Sequence, residues 1–327
     1  MKAIVYHEYG SPDVLQLKEV EKPNPKDHEV LVKIHASSIN QGDWYALTGK
    51  PFMVHFTEGL FKPKDKILGM EAAGVIEAIG RDVKQFQPGD EVFGDISWRG
   101  KGGFAEYVSV PENLLALKPA NLLFDEAAAV SVSAVVALQA MRDLGQIQPG
   151  QKILINGASG GVGTFAVQIA KSYGAEVTAV CSTGKMDMAR SFADHAIDYT
   201  QEDFTQNGKH YDLILGVNGH HPLSDIKRAL NPEGTYVCVG GPISHIFKTL
   251  LLGPLMSKKE GKQLRNATAQ QSQKDLVVVK ELLEAGKVVP VIDRRYTLSE
   301  TPEAFRYFGE GHAKGKIVIT VLDEKGE

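Results

Sequence analysis

Long hydrophobic runs, cysteines and an excess of positive charge are what this 327-residue chain lacks. Its two cysteines, Cys181 and Cys238, form no C-x-x-C pair, which excludes a disulfide scaffold and fits a reducing compartment such as the cytoplasm. A net charge of −4 gives no electrostatic footprint for nucleic acid. The segment "IFKTLLLGPLM" at 246–256 is too short to span a bilayer and carries Gly253 and Pro254, so it reads as a core or interface segment. The start, "MKAIVYHEYG", shows no apolar h-region and is expected to begin a strand rather than a secretory signal.

What is present is ordinary globular material, 43% hydrophobic and 23% charged, enough for about two domains of ~150 residues. Residues 1–123 read as short Val- and Ile-rich strands such as "EVLVKIHASSI" and "GGFAEYVSV", separated by turn signals "QPGD" and "WRGKGG". From 124, "DEAAAVSVSAVVALQAMRDLG" predicts one long helix. Strand and helix patterns then alternate from "QKILIN" to "GTYVCVGG", which argues for a parallel sheet covered on both faces. "SQKDLVVVKELLEAGKV" predicts an amphipathic helix and "GKIVITV" a last strand.

The loop Ala158-Ser159-Gly160-Gly161-Val162-Gly163 fits A-x-G-x-x-G between a strand and a helix. Gly160 would let a pyrophosphate approach the backbone, and Gly163 would let the helix pack on the sheet. The helix N-terminus then favours the anion. The following strand ends in Ser182, Thr183 and Lys185, with no acid at its tip. An acid there would hold a ribose 2′-hydroxyl, whereas hydroxyls and an ammonium suit a 2′-phosphate, so NADPH is expected over NADH.

Six ordered motifs carry a resemblance to a known family: "SSINQGDWYALTG" (37–49), "GMEAAGVIEAIG" (69–80), "PGDEVFG" (88–94), "GGFAEY" (102–107), "GASGGVG" (157–163) and "GHAKGKIVI" (311–319). The chain resembles the medium-chain dehydrogenase/reductase superfamily, in its zinc-free quinone oxidoreductase branch. "NGHHPLSDIKRALNPEG" and "EAGKVVPVID" resemble the reticulon-interacting-protein-like subgroup.

The resemblance implies an α/β fold: a GroES-like β-rich catalytic domain at 1–123 and 269–327, and a Rossmann NADPH-binding domain with a doubly wound parallel sheet at 124–268. It implies a closed symmetric dimer or tetramer, with a homodimer expected, and a small-molecule acceptor, a quinone or enone. It places Asn40, Asp43 and Tyr45 beside nicotinamide and substrate, with Asn40 fixing cofactor or acceptor, Tyr45 or water giving a proton, and Asp43 orienting the loop. Tyr199 is implied near the adenosine phosphate, Val217 and Asn218 by the ribose, Gly240 and Gly241 beside the nicotinamide, with Gly315 and Lys316 approaching from the C-terminal segment.

Zinc-dependent relatives use an early Cys, a His in "G-H-E" and a later Cys. Here Ser37-Ser38 and Gly69-Met70-Glu71 stand in those regions, and 95–115 has no cysteine for a structural zinc. Zinc wants thiolate and imidazole sets, so none is expected, His220-His221 included. Departures at Val136, Leu138 and Phe52 touch acceptor choice rather than fold. An enoyl-thioester or alkenal reductase, or an NADPH-binding, crystallin-like protein with little catalysis, are the alternatives to a quinone or enone reductase.

Overall fold

The structure is a computed structural model that describes residues 1–97, 102–257 and 261–322. The first four residues of the "WRGKGG" turn and the middle of the "SKKEGK" charge run lie outside the described residues. Two compact units emerge. The first comprises Met1–Val132, Gln271–Glu284 and Pro290–Glu327, and the second Ser133–Gln270 and Ala285–Val289.

In the first unit, β1 (Lys2–Val5) pairs with β2 (Gln16–Glu19) as a separate ribbon. β3 (Glu29–Ser38) is followed by α1 (Gln41–Thr48) and α2 (Val54–Glu58). Then come β4 (Glu71–Ile79), β5 (Glu91–Asp95), β6 (Tyr107–Pro111), β7 (Leu115–Leu117) and α3 (Phe124–Ala127).

The second unit holds most of α4 (Ser131–Gln139), then β8 (Lys152–Asn156), α5 (Gly161–Ser172), β9 (Glu176–Cys181) and α6 (Met186–Phe192). It continues with β10 (His195–Asp198), β11 (Tyr211–Gly216), α7 (Leu223–Ala229), β12 (Leu230–Cys238), α8 (Ile243–Ser257) and β13 (Gln263–Asn266). The chain re-enters the first unit with α9 (Gln273–Glu284), β14 (Ile292–Thr297), α10 (Thr301–Gly309) and β15 (Lys316–Thr320).

The first unit's main sheet runs β14-β15-β3-β4-β5-β7, with β6 also on β3, and is antiparallel apart from the β14–β15 pair. Alternation in β3 sends Val30, Val32 and Ile34 into a core with Ile76, Phe86, Val92 and Leu115. A second core gathers Tyr6, Ile39, Leu47, Phe104, Phe305 and Ile317.

The second unit has an all-parallel sheet in the order β10-β9-β8-β11-β12-β13. Counted within the unit, this is 3-2-1-4-5-6, the doubly wound nucleotide-binding order. Ile153, Leu154 and Ile155 of β8 are fully buried, as continuous apolar runs in a covered parallel sheet must be.

Two expectations change. The Ala-rich stretch from 124 is not one helix: α3 stops at Ala127, turns occupy 128–130, and α4 restarts at Ser131 before a π-helical turn at Ala140–Leu144. The break frees the Val132 N–H to donate to the buried Glu71 carboxylate at 2.6 Å, a bond a continuous helix would use internally. The first unit thus runs on past 123 to Val132.

The 246–256 segment lies in α8 and buries only part of its surface. His245, Thr249 and Gly253 are inward, whereas Phe247, Leu250, Leu251, Leu252 and Leu255 are exposed. Among the described residues no helix is long and apolar enough to cross a membrane.

Candidate functional site

Two sets of expected residues gather, one in each unit. In the second unit the carboxyl ends of β8, β9, β11 and β12 meet at the point where strand order reverses, the usual ligand crevice of such sheets. Gly157 and Ala158 leave β8 and donate their N–H groups to Val180 O. Gly160 caps α5, whose first turn, with Gly161, Val162 and Gly163, carries no acid. Its leading N–H groups have no acceptor within the helix. Ser159 is buried beside them.

The glycines divide their work. A Cβ on Gly163 would stand 2.1 Å from Gly157 O and 2.8 Å from Ala158 C, so Gly163 sets the helix-to-loop approach. A Cβ on Gly160 would meet only Gly157 O, at 3.9 Å, so the space beside it is open. That open cradle against free N–H groups fits a dinucleotide pyrophosphate.

Around it, Val217 and Asn218 both donate their N–H groups to Asn156 O, at 2.9 and 3.1 Å. Gly219 donates to Gly240 O at 3.1 Å, and Gly240 to Gly216 O. Gly241 adopts φ +124°, where a Cβ would strike Gly219 O at 2.6 Å. Below this turn Tyr236 Oη lies 2.8 Å from His245 Nε2, both side chains buried. Burial pushes the His245 imidazole down and the Tyr236 phenol up, so both are neutral near pH 7 and the bond is a lasting prop.

At the far end of the crevice, Ser182 leads into a 3₁₀ turn, Thr183–Lys185. Tyr199 donates its N–H to Cys181 O, which brings the end of β10 beside the end of β9, and its ring is exposed. This pairing delivers a residue that sequence reasoning missed. Thr183 Oγ1 donates to Asp198 Oδ2 at 2.6 Å, and Thr200 donates its hydroxyl and N–H to Asp198 Oδ1 at 2.8 and 3.0 Å. These hydrogen bonds, that from Thr183 foremost, hold the Asp198 carboxyl below the usual carboxylate range. An acid therefore does stand at this tip, and in this structure the Thr183 hydroxyl donates its one proton to it. The signal available was its place in "IDY", directly before Tyr199.

In the first unit the expected residues close on Glu71, which is fully buried. Its Oε1 accepts Ser131 Oγ at 2.9 Å and the Val132 N–H; its Oε2 accepts Asn40 Nδ2 at 2.8 Å, Lys316 Nζ at 2.7 Å and Ser38 Oγ. Burial by itself raises the Glu71 carboxyl; the Lys316 ammonium, with hydrogen bonds from Lys316, Ser38 and Asn40, outweighs it and holds the group ionised below the glutamate range.

Asn40 caps the start of α1, and Asp43, at the third helical position, accepts its N–H at 3.0 Å. The other Asp43 oxygen takes the Gly69 N–H at 3.0 Å, and the side chain is wholly buried, which makes it a brace of the β3–α1 junction. Tyr45 lies on the exposed side of α1, half-buried, and its hydroxyl has no hydrogen-bond partner among the described residues.

Two residues expected to approach the cofactor stand at the start of β15. Gly315 has φ +85°, and a Cβ would sit 2.2 Å from Val291 O, so it sets the turn into β15. Lys316 points its ammonium into the Glu71 cluster and is 3% exposed.

Comparisons with known proteins agree with this architecture. Residues 26–120 match a family model described as an alcohol dehydrogenase GroES-like domain, and 193–319 one described as a zinc-binding dehydrogenase. A 2-methylene-furan-3-one reductase of Solanum lycopersicum is 34% identical over 98% of this chain and 79% of its own. The mitochondrial NAD(P)H oxidoreductase RTN4IP1 of Mus musculus is 35% identical over 98% of this chain and 89% of its own. The solved structure of a quinone oxidoreductase from Coxiella burnetii superposes with a TM-score of 0.88 at 27% identity, covering 98% and 99% of the two chains.

The residues present do not fit the zinc that the second family model's description implies. Among the described residues no cluster of three His, Cys, Asp or Glu side chains can hold a metal ion. Both cysteines belong to the second unit and are buried, with thiols raised by burial. Glu71, in the "G-M-E" motif, already has five donors, and His221 sits against Asp203 and Phe204. The ordered motifs, the two folds and full-length relatives above 30% identity converge: this chain belongs to the medium-chain dehydrogenase/reductase superfamily.

Proposed function

We propose that the protein is an NADPH-dependent, zinc-independent reductase of quinones or α,β-unsaturated carbonyls. The observation that carries this reading is the Lys316–Glu71 pair: where zinc-using relatives hold a catalytic cation, an internal ammonium already satisfies the carboxylate. Alcohol oxidation without a Lewis acid would need another way to activate the hydroxyl, whereas an electron-poor acceptor needs only positioning, hydrogen bonds and a proton.

The residues that would hold the dinucleotide are Ser159–Gly163 at the pyrophosphate and Val217, Asn218, Gly240 and Gly241 along its length, with Ser182, Lys185 and Tyr199 at the adenosine end. When bound, it supplies the hydride. The acceptor oxygen that gathers negative charge needs a donor. Tyr45 is the candidate, because its hydroxyl is uncommitted while the Asn40 amide is engaged by Glu71 and Lys316. An apolar acceptor also suits the exposed Phe52, Met53, Phe56, Leu60 and Phe61, which follow α1 in the chain. Lys185 favours a 2′-phosphate and Asp198 opposes it, so the preference for NADPH rests on Lys185, Ser182 and backbone donors.

The buried free cysteines suit a reducing compartment such as the cytoplasm. A homodimer would cover the apolar face of α8 beside the edge strand β13, and light scattering tests it.

The test of function is a panel of quinones, alkenals and enoyl thioesters with NADPH and with NADH, on protein whose metal content has been measured. Turnover of quinones or enones by NADPH without stoichiometric zinc supports the reading. Selective turnover of enoyl thioesters would move it to that substrate class, and NADPH binding without turnover would make it a binding protein.

A further inference from the structure

Lys316 lies in β15 and reaches Asn40 across 276 positions of sequence. Its Nζ is 2.5 Å from Asn40 Oδ1 and 2.7 Å from Glu71 Oε2, and Asn40 Nδ2 is 2.8 Å from the same Glu71 oxygen. The three side chains form a closed ring in which the lysine donates to both partners and the asparagine donates to the carboxylate. All three are buried, at 3%, 7% and 0% exposure.

The ring fixes the Asn40 amide, because only a donor on its oxygen side and an acceptor on its nitrogen side satisfy it. Its main chain is fixed too, by the Asp43 carboxylate. Residue 40 is therefore held at both ends, and α1 begins there. Tyr45 follows five positions later, about 1.4 helical turns.

We propose that Lys316 is a positioning residue of the reductase site, acting through Asn40 to set the start of α1 and with it the Tyr45 hydroxyl, and that it is not a cofactor contact. The proposal rests on the function proposed above. The chemistry calls for a cation with several protons at this place. An uncharged side chain would leave the buried Glu71 carboxylate hydrogen-bonded but without a counter-charge, and Asn40 Oδ1 without the lysine's proton. The lysine remedies both from one atom. A role limited to stability would need only the first.

The experiment uses the full chain and three test variants, with a fourth, Tyr45→Phe, for assignment. Lys316→Met removes the cation. Glu71→Leu with Lys316→Met removes the whole pair in favour of apolar groups, which restores thermal stability if the lone carboxylate was the problem. Lys316→Arg keeps a cationic donor. Each is measured for melting temperature, NADPH dissociation constant by fluorescence titration, and kcat and KM with the best acceptor found for the wild type. The 19F spectrum of protein containing 3-fluorotyrosine is recorded as well, with the Tyr45 resonance assigned by its loss in Tyr45→Phe.

The expected result is a fall in kcat of roughly 10- to 100-fold in Lys316→Met. NADPH affinity should stay within about twofold, since no dinucleotide contact is lost. The double variant should regain the melting temperature but not the kcat, Lys316→Arg should regain part of the kcat, and the Tyr45 resonance should move in both methionine variants. Wild-type kcat in a double variant that melts normally would overturn the proposal. So would loss of NADPH affinity in proportion to kcat, or an unmoved Tyr45 resonance. If the wild type turns over no acceptor, the proposed function fails, and the position of the resonance still decides whether Lys316 sets Tyr45.

Discussion

Thr183 gives its hydroxyl proton to Asp198 across 2.6 Å, from the end of one parallel strand to the end of its neighbour. This short bond places a negative charge where the sequence shows only hydroxyls and a lysine. Asp198→Asn should therefore raise the ratio of kcat/KM for NADPH over NADH severalfold, and the gain should shrink in high salt because the site is exposed. Steady-state kinetics with both cofactors at two ionic strengths checks this. An unchanged ratio would mean that Asp198 serves only to tie the 3₁₀ turn to β10.

Gly160 and Gly163 should separate folding from binding. Gly163→Ala pushes a methyl against the Gly157 carbonyl and the Ala158 backbone, so the melting temperature should drop by several degrees. Gly160→Ala has room in the free protein and should melt within about two degrees of wild type while binding NADPH at least tenfold more weakly. Thermal denaturation with and without NADPH tests both.

Stability should depend on pH through Glu71. Its carboxyl is held below the ordinary glutamate value, so on acidification the unfolded chain takes up this proton first. The contribution is fully present above about pH 4.3, the unfolded value, and is lost as pH falls through the lower folded value. Glu71→Gln leaves Lys316 buried without its counter-charge and should cost about 3–5 kcal/mol at pH 7. The gap between variant and wild type should narrow as pH falls below about 4. Urea denaturation from pH 7 to 3 measures it, and a gap that widens with acid would contradict the assignment.

Asn40→Ala should lower turnover by about tenfold or more while leaving NADPH affinity nearly unchanged, because the amide's partners are Glu71 and Lys316. Unchanged turnover would remove Asn40 from the mechanism. Tyr45→Phe deletes one hydroxyl; a fall in kcat of roughly 10- to 100-fold assigns the hydrogen bond to the phenol, and no change assigns the proton to water.

How much of this was legible in the sequence follows from the reach of each interaction. The nucleotide half shows itself because parallel strands buried on both faces are written as continuous apolar runs, and because Gly160 and Gly163 act within one loop. The two helices at 124–139 read as one because nothing local breaks them. No glycine or proline stands at 128–130, and the interruption is imposed by the Val132 N–H turning to Glu71, 61 positions earlier. Asp198 escaped notice because a fingerprint examines one strand end, whereas the sheet brings two together. Met70, Ser37 and Ser38 carry the expectation of a zinc-free site. Only the fold could bring Lys316 the 245 positions back to Glu71.

That distance has a consequence for how the protein is made. β15 joins β3 and β14 only once residues 316–320 have been made, and the earlier strands of the sheet wait until then for their counter-ion. While residues 72–315 are being made, the nascent chain carries Glu71 without Lys316 to neutralise it. A chain cut short before Lys316 would still hold every strand of the second unit, while its first unit would carry Glu71 without the counter-charge that offsets its burial.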